Sequence, residues 1–431
     1  MQKLGDIARL WGLPLFLFLL PWQTRYIFDV FTIVGEPFEY GTVSVYALEF
    51  FLLALVLLNG KFQISAAAQK PARYLLFVLA VVVVSMFGVR ESQVAANVAM
   101  HVAFAGLLFL FLLDERIHLR RVGAGFVLGL IAPLALGAWQ VFAGSSPAVT
   151  WLGLAARDAG ALGDSVIELA DGTRQFRAYG SFSHPNIFGG FLAVGALATT
   201  WLGSKQNGWK QYALFALLGT FLIGLTLTGS RSALLGLGFA LLAGFFAKKK
   251  LANPAGWRVE PANPRGWRIG RKTLAAVGVF LVLALGTRYA VQGFAAGEFE
   301  SRSVEERVEQ VQEFLSVVDG EWLFGHGIGQ YTYAIEAAFP EREWWEYQPV
   351  HNVPLLVVGE IGLVGLIALV LWIATIDRIN FSRLPKEDAL FAFMAGNTLL
   401  VVALFDHYLW TNWQGLALAA FVLALRARLK E

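Results

Sequence analysis

The chain has 431 residues, of which 57% are hydrophobic and only 15% charged, with a mean hydropathy of +0.59 and a formal net charge of +3. A soluble domain averages roughly 25% charged residues, so a soluble globular protein is excluded. The absence of cysteine excludes disulfides, thiolate metal sites and cysteine nucleophiles.

Apolar runs long enough to cross a bilayer recur along the whole chain. They predict an all-α polytopic membrane protein with about 12 transmembrane helices, over residues 8–22, 41–60, 73–89, 94–113, 122–143, 185–203, 211–228, 231–247, 273–291, 353–376, 388–405 and 411–427. Barrel strands would alternate apolar and polar residues over about 10 positions, a pattern these runs lack. No polar stretch exceeds roughly 60 residues, less than a typical domain, so residues 1–431 are expected to form one integral membrane domain. The first run is followed by Pro21-Trp22-Gln23-Thr24-Arg25 and not by small residues suited to cleavage. That predicts a retained span and not a signal peptide.

Lysine and arginine collect in alternate loops: Lys61, Lys70 and Arg73; Arg116, Arg120 and Arg121; Lys205 and Lys210; Arg378 and Arg383; and above all the basic loop 248–272. By the positive-inside rule these loops are cytoplasmic, together with both termini. Within the basic loop, Ala252-Asn-Pro-Ala-Gly-Trp-Arg258 is echoed by Ala262-Asn-Pro-Arg-Gly-Trp-Arg268, which reads as a linker lying on anionic headgroups. The loops poor in basic residues include the two longest, 144–184 and 292–352, and these are expected to face the periplasm or cell exterior. In the second, Val304, Val308, Val311, Phe314, Leu315 and Val318 recur at helical spacing among Glu305, Glu306, Glu309 and Glu313. This pattern predicts an amphipathic helix.

Titratable and polar residues cluster at the exterior ends of the spans. Arg177-Ala-Tyr-Gly-Ser-Phe-Ser-His184-Pro185-Asn186 leads into the sixth span, with Pro185 suited to a first helical turn and His184 to a cap. Arg231 follows Gly229-Ser230 at a tight turn, where its charge adds to the positive end of a helix and favours an anion. Arg307 lies on the amphipathic helix. His351 precedes an apolar run, a costly place for an imidazole without a role, with Asn352 beside it to orient it. Glu360 follows about two and a half turns deeper. Asp406-His407-Tyr408-Leu-Trp410 begins a further polar, aromatic cluster, whose flat faces suit a sugar platform and equally an interfacial belt. No Asp-X-Asp element, His-Glu-X-X-His motif or glycine-rich phosphate loop with lysine is present.

Four elements, in order, resemble the O-antigen ligase and O-antigen polymerase superfamily of bacterial membrane glycosyltransferases. They are Gly180-Ser-Phe-Ser-His-Pro-Asn186; Thr228-Gly-Ser-Arg231-Ser-Ala; Glu306-Arg307 followed by Leu323-Phe-Gly325-His-Gly327-Ile-Gly329; and His351-Asn352 followed by Glu360-Ile-Gly362-Leu-Val-Gly365. The resemblance implies a glycan donor linked through diphosphate to undecaprenol, and transfer to an acceptor sugar hydroxyl with inversion at the anomeric centre. It implies no metal, cofactor or nucleotide sugar, and no nucleic-acid partner. His351, Arg231 and Arg307 would be catalytic, the arginines meeting diphosphate charge and His351 taking the hydroxyl proton. His184, Asn186, Asn352, Glu360, Trp410 and Arg302 are the substrate-binding candidates. The family often has a Trp four residues after the Arg307 position and a Pro near position 322. Val311 and Trp322 stand there instead, so Arg302 is a rival to Arg307.

The expected location is therefore the bacterial cytoplasmic (inner) membrane, with the active site facing the periplasm. A ligase would use lipid A core as acceptor, and a polymerase another lipid-linked repeat. A polyprenyl-glycan transporter would need charged residues midway through several spans, and the spans here are largely free of charge.

Overall fold

The computed structural model describes residues 2–161, 163–168, 172–252, 297–376 and 386–428. The expected span 273–291 and the basic loop from residue 253 onward, with most of its repeat, lie outside them. From the N-terminus, α1 (Gln2–Ile7) runs through a π turn (Ala8–Gly12) into α2 (Leu13–Leu19). A β-hairpin follows, β1 (Arg25–Ile33) and β2 (Glu36–Tyr46), then α3 (Ala47–Asn59), α4 (Ala66–Val84) and α5 (Ser92–Leu112). Helices α6 (Leu119–Gly129) and α7 (Ile131–Ala143) form one long apolar span. The loop after them folds into two short antiparallel strand pairs, Ser145–Ser146 with Arg157–Asp158 and Val166–Glu168 with Arg174–Phe176. Then come α8 (Pro185–Gly203), α9 (Trp209–Thr228), α10 (Arg231–Ala252), α11 (Gly297–Val317) and α12 (Tyr331–Ala338). The chain closes with α13 (Val353–Ile376), α14 (Lys386–Phe405), α15 (Tyr408–Thr411) and α16 (Trp413–Arg428).

Among the described residues, 7 helices are long and apolar enough to cross a membrane: α4, α5, the α6–α7 pair, α8, α9, α13 and most of α14. The molecule is a mostly helical, multi-pass membrane protein. Helix α8 is its axis, with 83% of its apolar window buried against α6, α9, α10 and α14. Glycine makes that packing close: a methyl at Gly189 would press on Ser230, and one at Gly190 would overlap the Tyr408 hydroxyl. Pro185 takes the first turn, and the His184 Nδ1 accepts the Asn186 N–H at 3.1 Å as the cap.

The hairpin departs from the all-helical expectation. The run 41–60 was expected to be one span, yet its first residues belong to β2. Thr42-Val43-Ser44-Val45-Tyr46 alternates polar and apolar residues with β-branched enrichment, a strand pattern hidden within an apolar average. Val34 (φ 53°) and Gly35 (φ 82°) make the two-residue turn that hairpins favour. The remaining 13 residues form α3, only about 20 Å of helix against a hydrocarbon core of about 30 Å. The backbone of β2 is paired with β1 along one edge, which satisfies its polar groups without a helix.

A second irregularity lies in α13. Gly362 has φ 71° and ψ −177°, a conformation open essentially to glycine alone. The break interrupts the helical ladder, and the loop before α12 repairs it. His326 and Gly327 donate to the carbonyls of Gly359 and Glu360 at 2.9 and 2.8 Å, while the Leu363 N–H bonds the Trp322 carbonyl at 2.8 Å. The glycine-rich stretch 325–329 is thus a brace that holds the start of α13 in place.

Candidate functional site

A cavity of about 600 Å³ opens between β2, the starts of α8 and α13, and the turn from α14 into α15. Of the residues expected at the site, His184, Asn186, His351, Glu360 and Trp410 line it, drawn from three separate segments.

His351 sits just ahead of α13, held by a residue on α11. Its backbone N–H and its Nδ1 both meet the Gln310 Oε1, at 3.1 and 3.0 Å. An amide oxygen only accepts, so the imidazole carries its proton on Nδ1 and leaves the Nε2 lone pair available. Burial lowers the His351 pKa first; Asp406 opposes this, and Arg307 adds to it. The result lies below the ordinary value of 6.5, so the imidazole is neutral near pH 7. Its ring meets His407 edge-on, 4.9 Å between centroids. His407 in turn contacts Thr411 Oγ1 through Nδ1 (2.9 Å) and the Tyr40 hydroxyl through Nε2 (3.4 Å). Burial holds His407 and His184 well below the usual histidine range, helped by His351 in the first case and Arg177 in the second.

Beneath these rings a polar chain ties α8 to the α14–α15 turn. Arg177 Nη2 donates to Asn186 Oδ1 at 2.6 Å, and Asn186 Nδ2 donates to Asp406 Oδ2 at 2.7 Å. Deeper in the cavity, Trp410 Nε1 donates to the buried Glu360 Oε2 at 2.7 Å.

The arginines lie outside the cavity lining, toward its edge. Arg231 opens α10 directly after the left-handed turn at Gly229 (φ 63°). Arg307 lies half-buried on α11, its Nη2 3.5 Å from the Phe405 carbonyl and its guanidinium 5.8 Å from the Phe405 ring centre. Burial depresses the Arg307 pKa, and repulsion from Arg231 depresses it further. Two helices thus bring two cations near each other, Arg307 against exposed Phe405. The Arg302 side chain lies outside the described residues. Asn352 does not orient His351: its Oδ1 caps α13 by accepting the Leu355 N–H at 3.0 Å, and its Nδ2 reaches the Leu404 carbonyl at 3.1 Å. Gln310 does the orienting. Among the described residues, no group of three or more His, Asp or Glu side chains is placed to hold a metal ion.

Gln310, Asp406, His407, Arg177 and Tyr40 were not singled out as site residues. Asp406 and His407 carried a signal, since they stand in the polar cluster with Trp410. Gln310 carried none beyond its place one helical turn after Arg307.

A comparison with curated proteins gives no match. Residues 213–370, the stretch that holds Arg231, Arg307, Gln310, His351 and Glu360, match the family model described as O-antigen ligase. Over that stretch this multi-pass membrane protein is similar to the O-antigen ligase family, whose match supports a membrane glycan-processing enzyme.

Proposed function

We propose that this enzyme transfers an undecaprenyl-diphosphate-linked glycan to an acceptor sugar hydroxyl at the periplasmic face of the bacterial inner membrane. The observation that carries the reading is the neutral imidazole of His351 at the cavity wall, with Nδ1–H held by Gln310 and Nε2 left as a base. The acceptor hydroxyl gives its proton to Nε2 as its oxygen attacks the anomeric carbon. The bond from that carbon to the diphosphate oxygen breaks, and undecaprenyl diphosphate departs on the opposite side, inverting the centre. A positioned general base contributes roughly 10²–10⁴ in rate. Negative charge gathers on the departing diphosphate, and Arg231 with Arg307 meets it through forked hydrogen bonds. The exposed Phe405 against Arg307 suits a donor whose lipid stays in the bilayer.

The first assignment is O-antigen ligase, with lipid A core as acceptor; a polymerase would use a second lipid-linked glycan on the same machinery. The test is transfer by purified wild type, His351→Ala and Arg231→Ala with EDTA present, offering each acceptor separately. The expected outcome is release of undecaprenyl diphosphate by wild type alone, with the productive acceptor deciding between ligase and polymerase. Wild-type rates from His351→Ala would remove the general base, and dependence on a divalent cation would remove the metal-free mechanism.

A further inference from the structure

The cavity has a wall that the reaction above leaves unused. Tyr40, Thr42, Ser44 and Tyr46, every second residue of β2, all line it. Alternate residues of a strand share one face, so these four side chains form a single row. Each carries a hydroxyl, and the two outermost carry flat rings. At about 3.3 Å per residue the row is roughly 20 Å long, with Tyr40 and Thr42 partly open and Ser44 and Tyr46 buried at its far end.

The row has two distinct ends. At one, Tyr40 lies against His407, 5.6 Å between ring centres, and so beside His351; its hydroxyl also donates to Gln348 Oε1 at 3.2 Å. At the other, Tyr46 lies against His101 and Trp413, at 5.5 and 6.3 Å, with Arg25 donating to its hydroxyl at 3.3 Å. The strand is held rigid between them. One edge pairs with β1. At Ser44 the other edge is clamped by Asn97 of α5, whose Oδ1 takes the Ser44 N–H at 3.3 Å and whose Nδ2 reaches the Ser44 carbonyl at 2.7 Å.

We propose that this face of β2 is the rail on which the acceptor glycan lies, with its reactive end at Tyr40 beside His351. The inference rests on the transferase reading above and adds which wall serves which substrate. In a displacement the nucleophile enters opposite the leaving group. The leaving diphosphate belongs with Arg231 and Arg307, which lie outside the cavity lining, Arg307 against exposed Phe405. The acceptor therefore belongs on the other side of His351, where β2 begins its row. Hydroxyls and ring faces in sequence, with no charge on the row itself, suit the neutral end of a sugar chain, met by Tyr40 and Thr42.

The test uses Thr42, at mid-rail, in the full-length protein. Thr42→Val removes one hydroxyl at nearly constant volume, and Thr42→Trp places bulk across the row. Both are assayed with undecaprenyl-diphosphate glycan as donor and, in separate arms, lipid A core or excess donor as acceptor. For Thr42→Val the acceptor KM is expected to rise roughly 2- to 10-fold, the equivalent of one hydrogen bond, with donor KM and kcat moving less. For Thr42→Trp the acceptor kcat/KM is expected to fall by at least about tenfold through steric exclusion. An unchanged acceptor KM in Thr42→Val overturns the rail, as does a rise confined to the donor KM; should Thr42→Trp fail to fold, Thr42→Val decides alone. A wild type inactive with either acceptor overturns the transferase reading, and the rail with it.

Discussion

Gln310 is the sharpest point at which to perturb the site. It touches His351 twice through one oxygen, and two substitutions separate its two consequences. Gln310→Ala removes the acceptor that holds the Nδ1–H tautomer. A neutral hydrogen bond is worth about 0.5–1.5 kcal/mol, so kcat is expected to fall by up to about tenfold across the whole pH range, while KM for the donor moves little. Gln310→Glu keeps both bonds but places a carboxylate 3.0 Å from Nδ1. An opposite charge at that range raises a histidine pKa by roughly 1–3 units. The sign follows directly. His351 starts below 6.5 and must be neutral to act, so raising its pKa leaves it protonated over more of the range. Activity near pH 6–7 is lost and recovers at higher pH. The assay is initial release of undecaprenyl diphosphate between pH 5 and 9. Wild-type kcat from Gln310→Ala, or an acid limb that stays in place in Gln310→Glu, would refute the tautomer argument.

Four further outcomes are expected. Asp406 raises the His351 pKa against burial, so Asp406→Asn should move the acid limb of the rate profile to lower pH, read from the same pH series. Arg307→Ala is expected to lower kcat by about 10²–10³, the scale of a lost charge-stabilising donor; Arg307→Lys should recover only part, because a lysine lacks the fork, as steady-state kinetics would show. Trp410→Phe deprives the buried Glu360 of its 2.7 Å donor at a cost of about 1–3 kcal/mol, which lowers the melting temperature in detergent; Glu360→Gln in that background should restore part of it. Gly362→Ala forces a β-carbon onto the Leu323 carbonyl at a backbone angle closed to alanine, with an expected loss of about 1–3 kcal/mol by the same measurement.

Much of this protein was legible from residues alone, and the reason is the solvent. A bilayer requires continuous apolar runs, so the spans expected at 185–203 and 353–376 coincide with Pro185–Gly203 and Val353–Ile376. Both begin where a polar cap must stop the run: His184 before Pro185, and Asn352 before Val353. Residue chemistry also pointed to His184, Asn186, His351, Glu360 and Trp410, because polar groups at the ends of apolar spans are costly without a purpose. The same tertiary cavity brings those five together. The hairpin was missed because averaging hydropathy over a span-length window erases a two-residue alternation.

Partnership between distant residues was decided only by the tertiary structure. Gln310 and His351 are 41 positions apart, Asn186 and Asp406 are 220 apart, and Tyr40 and His407 are 367 apart. Which of them meet depends on how far each helix is rotated about its axis, and a rotation of one residue turns a side chain by about 100°. Hydropathy is nearly blind to that angle in helices that are apolar all round. Asn352 stands next to His351 in the chain yet caps a helix, while Gln310, from another element, holds the imidazole. Composition and order determined the membrane protein and the residues it carries; packing against α8, the glycine break at Gly362 and the β2 wall decided which of those residues share a site.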